Sequence, residues 1–140
     1  MSVPALLAPL FVEVALTFLI LFWSGWRRFA AVRRGEVRVR DIALREPAWP
    51  VRETQLTNAY QSQLELPVLF YLLVVLTLVT SRQSIPFLAF SWAFVAARAG
   101  HAVVHVTTNN VPRRFFWFLT GATILLAMWL IYAAEILLGL

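Results

Sequence analysis

The sequence predicts an all-α integral membrane protein, a four-transmembrane-helix bundle, and three observations predict it. Hydrophobic residues fill 61% of the 140 positions and the mean hydropathy is +0.75, well above the roughly 45–50% apolar content of soluble domains. Apolar residues gather in four runs, at about residues 3–26, 55–80, 85–106 and 115–138, each able to cross about 30 Å of hydrocarbon at about 1.5 Å per residue. Arginine is distributed by side: eight lie in the first connection and two in the third, against one in the second. That asymmetry places the first and third connections in the cytoplasm and both termini outside. A chain of this length makes one domain.

The first run, residues 3–26, holds one ionisable residue, Glu13. No positive residue precedes it and the run is long, so it reads as a retained span rather than a cleavable signal. Glu13 then faces the bundle interior, where a carboxyl is neutral or hydrogen-bonded. Residues 27–52 form the basic cytoplasmic loop, with Glu36, Asp41 and Glu46 as its acids. Pro47 and Pro50 break the loop before the second helix, and Trp49 suits the headgroup level.

The second run starts polar and turns apolar: residues 55–70 read QLTNAYQSQLELPVLF. Asn58, Ser62 and Glu65 are spaced i, i+4, i+7 and share one helical face. Glu65 therefore enters the apolar zone with a charge that needs a partner. Pro67 removes a backbone hydrogen bond and bends the helix, leaving a carbonyl that a neighbour must satisfy. After a turn at 81–84, Pro86 opens the third span. Arg98, His101 and His105 follow at i, i+3, i+7, again on one face. Asn109, Asn110 and Pro112 make the last turn, and Arg113 and Arg114 begin the fourth span, which carries Glu135 near its far end.

Depth along the helices brings these residues together. Glu65 lies roughly 18 Å from the cytoplasmic side and Arg98 roughly 16 Å, with His101 and His105 at roughly 12 and 6 Å. Antiparallel helices joined by a short turn are neighbours, so one cavity open to the cytoplasm is expected. Glu65 paired with Arg98 forms its floor, and Arg113 and Arg114 stand at the rim. The chain has no cysteine and no lysine, which excludes a protein thiol nucleophile, thiolate metal sites and Schiff-base chemistry. The two histidines alone supply no complete metal set, and no metal is expected. The net charge of +5 comes from arginines beside apolar spans, where membrane orientation accounts for it, so nucleic acid is not expected as a partner.

The segments NAYQSQLELPVLF and RAGHAVVHVTTNNVPRRF resemble the membrane-associated proteins in eicosanoid and glutathione metabolism, the MAPEG family, in its bacterial-type form. The resemblance covers the whole chain in topology and about thirty residues in motif. It implies a homotrimer in a bacterial inner membrane, in contact with lipid, that binds glutathione as co-substrate between subunits near the cytoplasm. A lipophilic small molecule approaches from the bilayer. Aligned on Glu65, Ser62 stands for the family's Asn and Asn58 for its Arg. Arg98 and His101 match an Arg-x-x-His pattern, and His105 replaces a Tyr. Arg114 fits the arginine that stabilises the glutathione thiolate, while Phe115 and Phe118 stand where a Ser and a Tyr help it. The implied function is a glutathione-dependent transferase or peroxidase acting on lipophilic electrophiles, with Arg114 catalytic. Asn58, Ser62, Glu65, Arg98, His101, His105 and Arg113 would then hold the glutathione. The alternative is a non-catalytic trimer that binds a lipid or a partner helix.

Overall fold

The computed structural model describes residues 1–45 and 47–140; Glu46, expected among the acids of the basic loop, lies outside the described residues. Five α-helices follow in order: α1 (Val3–Arg33), α2 (Val51–Gln63), α3 (Leu66–Val79), α4 (Ile85–Val106) and α5 (Val111–Leu137). With α2 and α3 taken as one broken span, four helical segments are long and apolar enough to cross a membrane. A short 3₁₀ turn, Val39–Ile42, sits in the basic connection.

Helix ends run past the apolar limits. An apolar window marks where hydrocarbon covers a helix, whereas caps and propensity decide where the helix stops. Thus α1 continues to Arg33 rather than 26, through Ala30 and Ala31, good helix formers. Helix α2 begins directly after Pro50 instead of at 55. Asn110 caps α5 by accepting from the Arg113 amide at 3.1 Å, and Pro112 sits in its first turn, so this helix starts at Val111 and not 115. Ser84 caps α4 likewise, taking the Phe87 amide at 3.2 Å.

The interior has two apolar cores. Leu6, Phe70, Leu73, Phe94, Leu125 and Met128 anchor one, towards the arginine-poor end. Ile20, Leu56, Ala59, Ala102 and Val106 form the other, towards the arginine-rich end. Buried polar residues lie between the two: Glu13 on α1 and Arg98 on α4, the helices that contribute to both cores, with Ser62 and Gln63 at the end of α2. The bundle thus carries a polar layer at half height.

Side chains also tie the helices together at the arginine-rich end. Arg27 on α1 meets the buried Glu53 on α2 at 3.1 Å. One turn deeper, Ser24 and Thr57 share a hydroxyl–hydroxyl bond of 3.1 Å. Helix α4 packs on α5 most closely at Gly100, where an added Cβ would stand 2.7 Å from the Trp117 ring. Only glycine admits that approach. Gly100→Ala is therefore expected to destabilise the protein by about 1–3 kcal/mol through overpacking. Gly25→Ala, with nothing within 4 Å of the new methyl, should stabilise by about 0.5–1 kcal/mol through helix propensity. Thermal unfolding of both variants in one detergent checks the contrast, and equal shifts would contradict it.

Candidate functional site

The second span is broken, not merely bent. Helix α2 ends at Gln63 and α3 restarts at Leu66, with Glu65 between them at φ −93° and ψ −97°. In an unbroken helix the Pro67 ring would collide with the carbonyl of Gln63; in the first turn of a new helix it is well placed, because no amide donor is needed there.

Breaking the turn deprives the Ser62 carbonyl of its regular amide donor. It accepts instead from the Glu65 amide at 3.4 Å and from Arg98 Nη2 at 3.0 Å. The same Nη2 also donates to Ser62 Oγ at 3.0 Å. One guanidinium on α4 thus holds the end of α2.

This corrects the expected ion pair. Arg98 is fully buried and bonded to Ser62, while Glu65 is exposed, and no Glu65–Arg98 bridge exists among the described residues. The break turns Glu65 outward and leaves Ser62 facing Arg98. Both carboxylate oxygens of Glu13 are buried without a hydrogen-bond partner, as are Nε and Nη1 of Arg98.

Above this layer lies a cavity of about 410 Å³, open at the arginine-rich end. Asn58, Ser62 and Glu65 line it from the second span, His101 and His105 from α4, and Arg114 from α5, with Gln61, Val111, Phe115 and Phe118 completing the wall. Asn58 and Gln61 also border a second cavity of about 640 Å³ under the basic connection, beside Arg28 and Arg45. Of the residues expected at the site, Arg98 lies below the cavity and Arg113 outside its wall, exposed.

Ends of three helices meet here, and each is fixed by polar side chains. Gln55 Nε2 donates to the carbonyls of His105 at 2.8 Å and Thr107 at 3.1 Å, and Arg52 donates to that of Val106. These bonds satisfy the open carbonyls at the end of α4. Asn109 adopts a left-handed backbone, φ 51°, and its Oδ1 accepts from Arg114 Nη1 at 2.6 Å. The rim guanidinium is thereby oriented before any ligand arrives. His101 and His105 meet edge to face at 5.4 Å between ring centroids, and the Nδ1 of each is buried without a partner. Among the described residues, no three His, Asp or Glu side chains converge as a metal set.

The cavity thus presents one cation, one carboxylate, amides, a hydroxyl and two imidazole rings. That mixture suits a small polar zwitterionic ligand. The model of the MAPEG family matches residues 6–134. The chain belongs to the MAPEG family. Its members include glutathione transferases and peroxidases as well as non-catalytic proteins, and the four spans make this MAPEG protein a multi-pass integral membrane protein. No curated protein and no solved structure matches the chain significantly.

Three contributors escaped the sequence reading of this MAPEG protein. Gln61 was one position off the chosen face, Asn109 was read only as a turn, and Glu13 had no visible tie to Arg98. An asparagine just after a helix end is the one signal that pointed at Asn109, since asparagine tolerates left-handed backbone. Arg98→Leu is expected to cost about 3–5 kcal/mol, because it strips the Ser62 carbonyl of its donor and removes the guanidinium from the buried layer that holds the partnerless Glu13. Adding Glu13→Leu should recover a large part of that loss, whereas Glu65→Gln should stay within about 0.5 kcal/mol. Chemical unfolding of the three variants checks this; a Glu65→Gln loss matching that of Arg98→Leu would restore the Glu65 pairing.

Proposed function

We propose that this protein is a glutathione-dependent transferase or peroxidase acting on lipophilic electrophiles, with Arg114 stabilising the thiolate. The observation that carries the reading is the Arg114 guanidinium, held by Asn109 at 2.6 Å on the wall of a cavity that also presents Glu65. Glutathione brings two carboxylates, one ammonium, two amides and a thiol. Glu65 suits the ammonium and Asn58, Gln61 and Ser62 suit the amides and a carboxylate. The His101 and His105 rings on the cavity wall offer further contacts. Bound glutathione supplies the sulfur nucleophile that a chain without cysteine lacks.

Arg114 acts by electrostatics. A cation close to the sulfur and partly shielded from water favours the thiolate and lowers the thiol's pKa, ordinarily about 8.5, by roughly one to three. In conjugation the thiolate sulfur bonds to the electrophilic carbon of a substrate dissolved in the bilayer as the leaving group departs with its bonding electron pair; in peroxide reduction it bonds to one peroxide oxygen as the O–O bond breaks and an alcohol leaves, and a second glutathione converts the resulting sulfenic acid to glutathione disulfide and water. Phe115 and Phe118 give the cavity an apolar wall for that substrate. Arg98 is a positioning residue in this scheme, because it holds Ser62 rather than touching the ligand.

The family also supports a homotrimer in which a neighbouring copy completes the site. Only 17% of the most apolar window of α5 is buried within the single chain, so this helix has a free apolar face for a second copy or for lipid. By the arginine count the cavity opens to the cytoplasm and the termini lie outside. A second reading, a non-catalytic trimer that binds lipid or a partner helix, is favoured by one feature: phenylalanines at 115 and 118 bring no hydroxyl to the sulfur.

Ultraviolet difference spectra at saturating glutathione separate the readings. The unmodified protein should give a thiolate band; Arg114→Ala should abolish it and slow conjugation of an aromatic electrophile by about 10²-fold or more. Arg113→Ala, outside the cavity wall, should cost far less. Equal losses would reduce Arg114 to part of a loose basic rim, and no band in the unmodified protein would favour the non-catalytic reading.

A further inference from the structure

The arginine-poor end of the bundle has one side-chain cation, Arg82, and one side-chain carboxylate, Glu135. Both border the same cavity, about 280 Å³ between α3, α4 and α5. They do not neutralise each other. No Arg82–Glu135 bridge exists among the described residues, and Arg82 Nη1 donates to the Leu140 carbonyl at 2.8 Å. Inside the mouth the wall turns apolar, through Phe87, Phe90, Met128 and Ile131. Phe90 and Ile131 remain 38% and 47% exposed in the single chain. Ser84 and Tyr132 also line the cavity, as does Thr77, which is fully buried and whose hydroxyl has no partner.

We propose that this cavity binds one zwitterionic aminophospholipid, of the phosphatidylethanolamine type. Arg82 takes the phosphate, for which a guanidinium offers paired donors. Glu135 takes the ammonium, whose N–H groups a carboxylate accepts and which a quaternary amine lacks. The start of an acyl chain lies along Phe87 and Phe90, and the Thr77 hydroxyl reaches an ester oxygen. A purely anionic lipid would leave Glu135 facing negative charge. The site is far from the cavity at the other end of the bundle and does not depend on glutathione binding.

The test uses delipidated full-length protein in detergent, with thermal unfolding measured after adding phosphatidylethanolamine, phosphatidylcholine or phosphatidylglycerol. Phosphatidylethanolamine should raise the unfolding temperature by about 4 °C more than either other lipid. Glu135→Gln should erase that advantage while keeping the response to phosphatidylglycerol, and Arg82→Gln should weaken all three. Soluble glycerophosphoethanolamine at the same concentration should protect little, since it lacks the acyl chain. Equal protection by the three lipids in the unmodified protein would mean a non-selective lipid shell and overturn the proposal. So would an ethanolamine preference that survives Glu135→Gln, or full protection by the soluble headgroup. If Arg82→Gln fails to fold, the lipid comparison and Glu135→Gln still decide.

Discussion

A helix that breaks inside an apolar bundle leaves backbone carbonyls without donors, and no bulk water is present to take them. Here that constraint falls on Ser62 and is met by Arg98. Much else follows from this one bond. It fixes where α2 stops and holds α4 beside it. It also lets Glu65 leave the interior for the cavity wall. The cost is a buried guanidinium, and Glu13 on α1 lies buried without a hydrogen-bond partner in the same polar layer. A polar layer between two apolar cores is thus the consequence of one broken turn rather than a scatter of stray polar residues.

The candidate site lies at the arginine-rich end because helix ends converge there. The break after α2, the last turn of α4 and the first turn of α5 all contribute groups to one cavity. Helix ends expose amides and carbonyls that seek partners, and the chain answers with Gln55, Arg52 and Asn109. These bonds brace the cavity from three sides. The opposite end is mostly packed apolar core, from Leu6 to Met128. Its charges are confined to the mouth that Arg82 and Glu135 share.

Much of this was legible in the sequence because it rests on periodicity and composition. Four apolar runs gave the four spans, and the i, i+4 spacing of His101 and His105 put both imidazoles on one face, where both line the cavity. The placement of Arg114 followed from Asn110 and Pro112, which signal the start of α5. What stayed hidden depends on tertiary choices. Pro67 announces a distortion, but the backbone angles at Glu65 decide between a bend and a break, and they reverse which way the carboxylate points. Arg98 has a long side chain whose partner is set by reach rather than by register, so it bonded a carbonyl instead of the acid at equal depth. Glu13 could not be assigned a partner because α1 and α4 are distant in sequence and no pattern links them.

The proposed glutathione binding depends on Arg98, which holds the broken end of α2 beside the cavity. Titration calorimetry of glutathione into purified protein and into Arg98→Lys tests it most directly, because lysine keeps the charge but lacks the planar fork that reaches both Ser62 oxygens. Binding by the unmodified protein is expected, with at least about tenfold weaker binding by a folded Arg98→Lys, corresponding to about 1.4 kcal/mol. Equal affinity in the two folded proteins would contradict it.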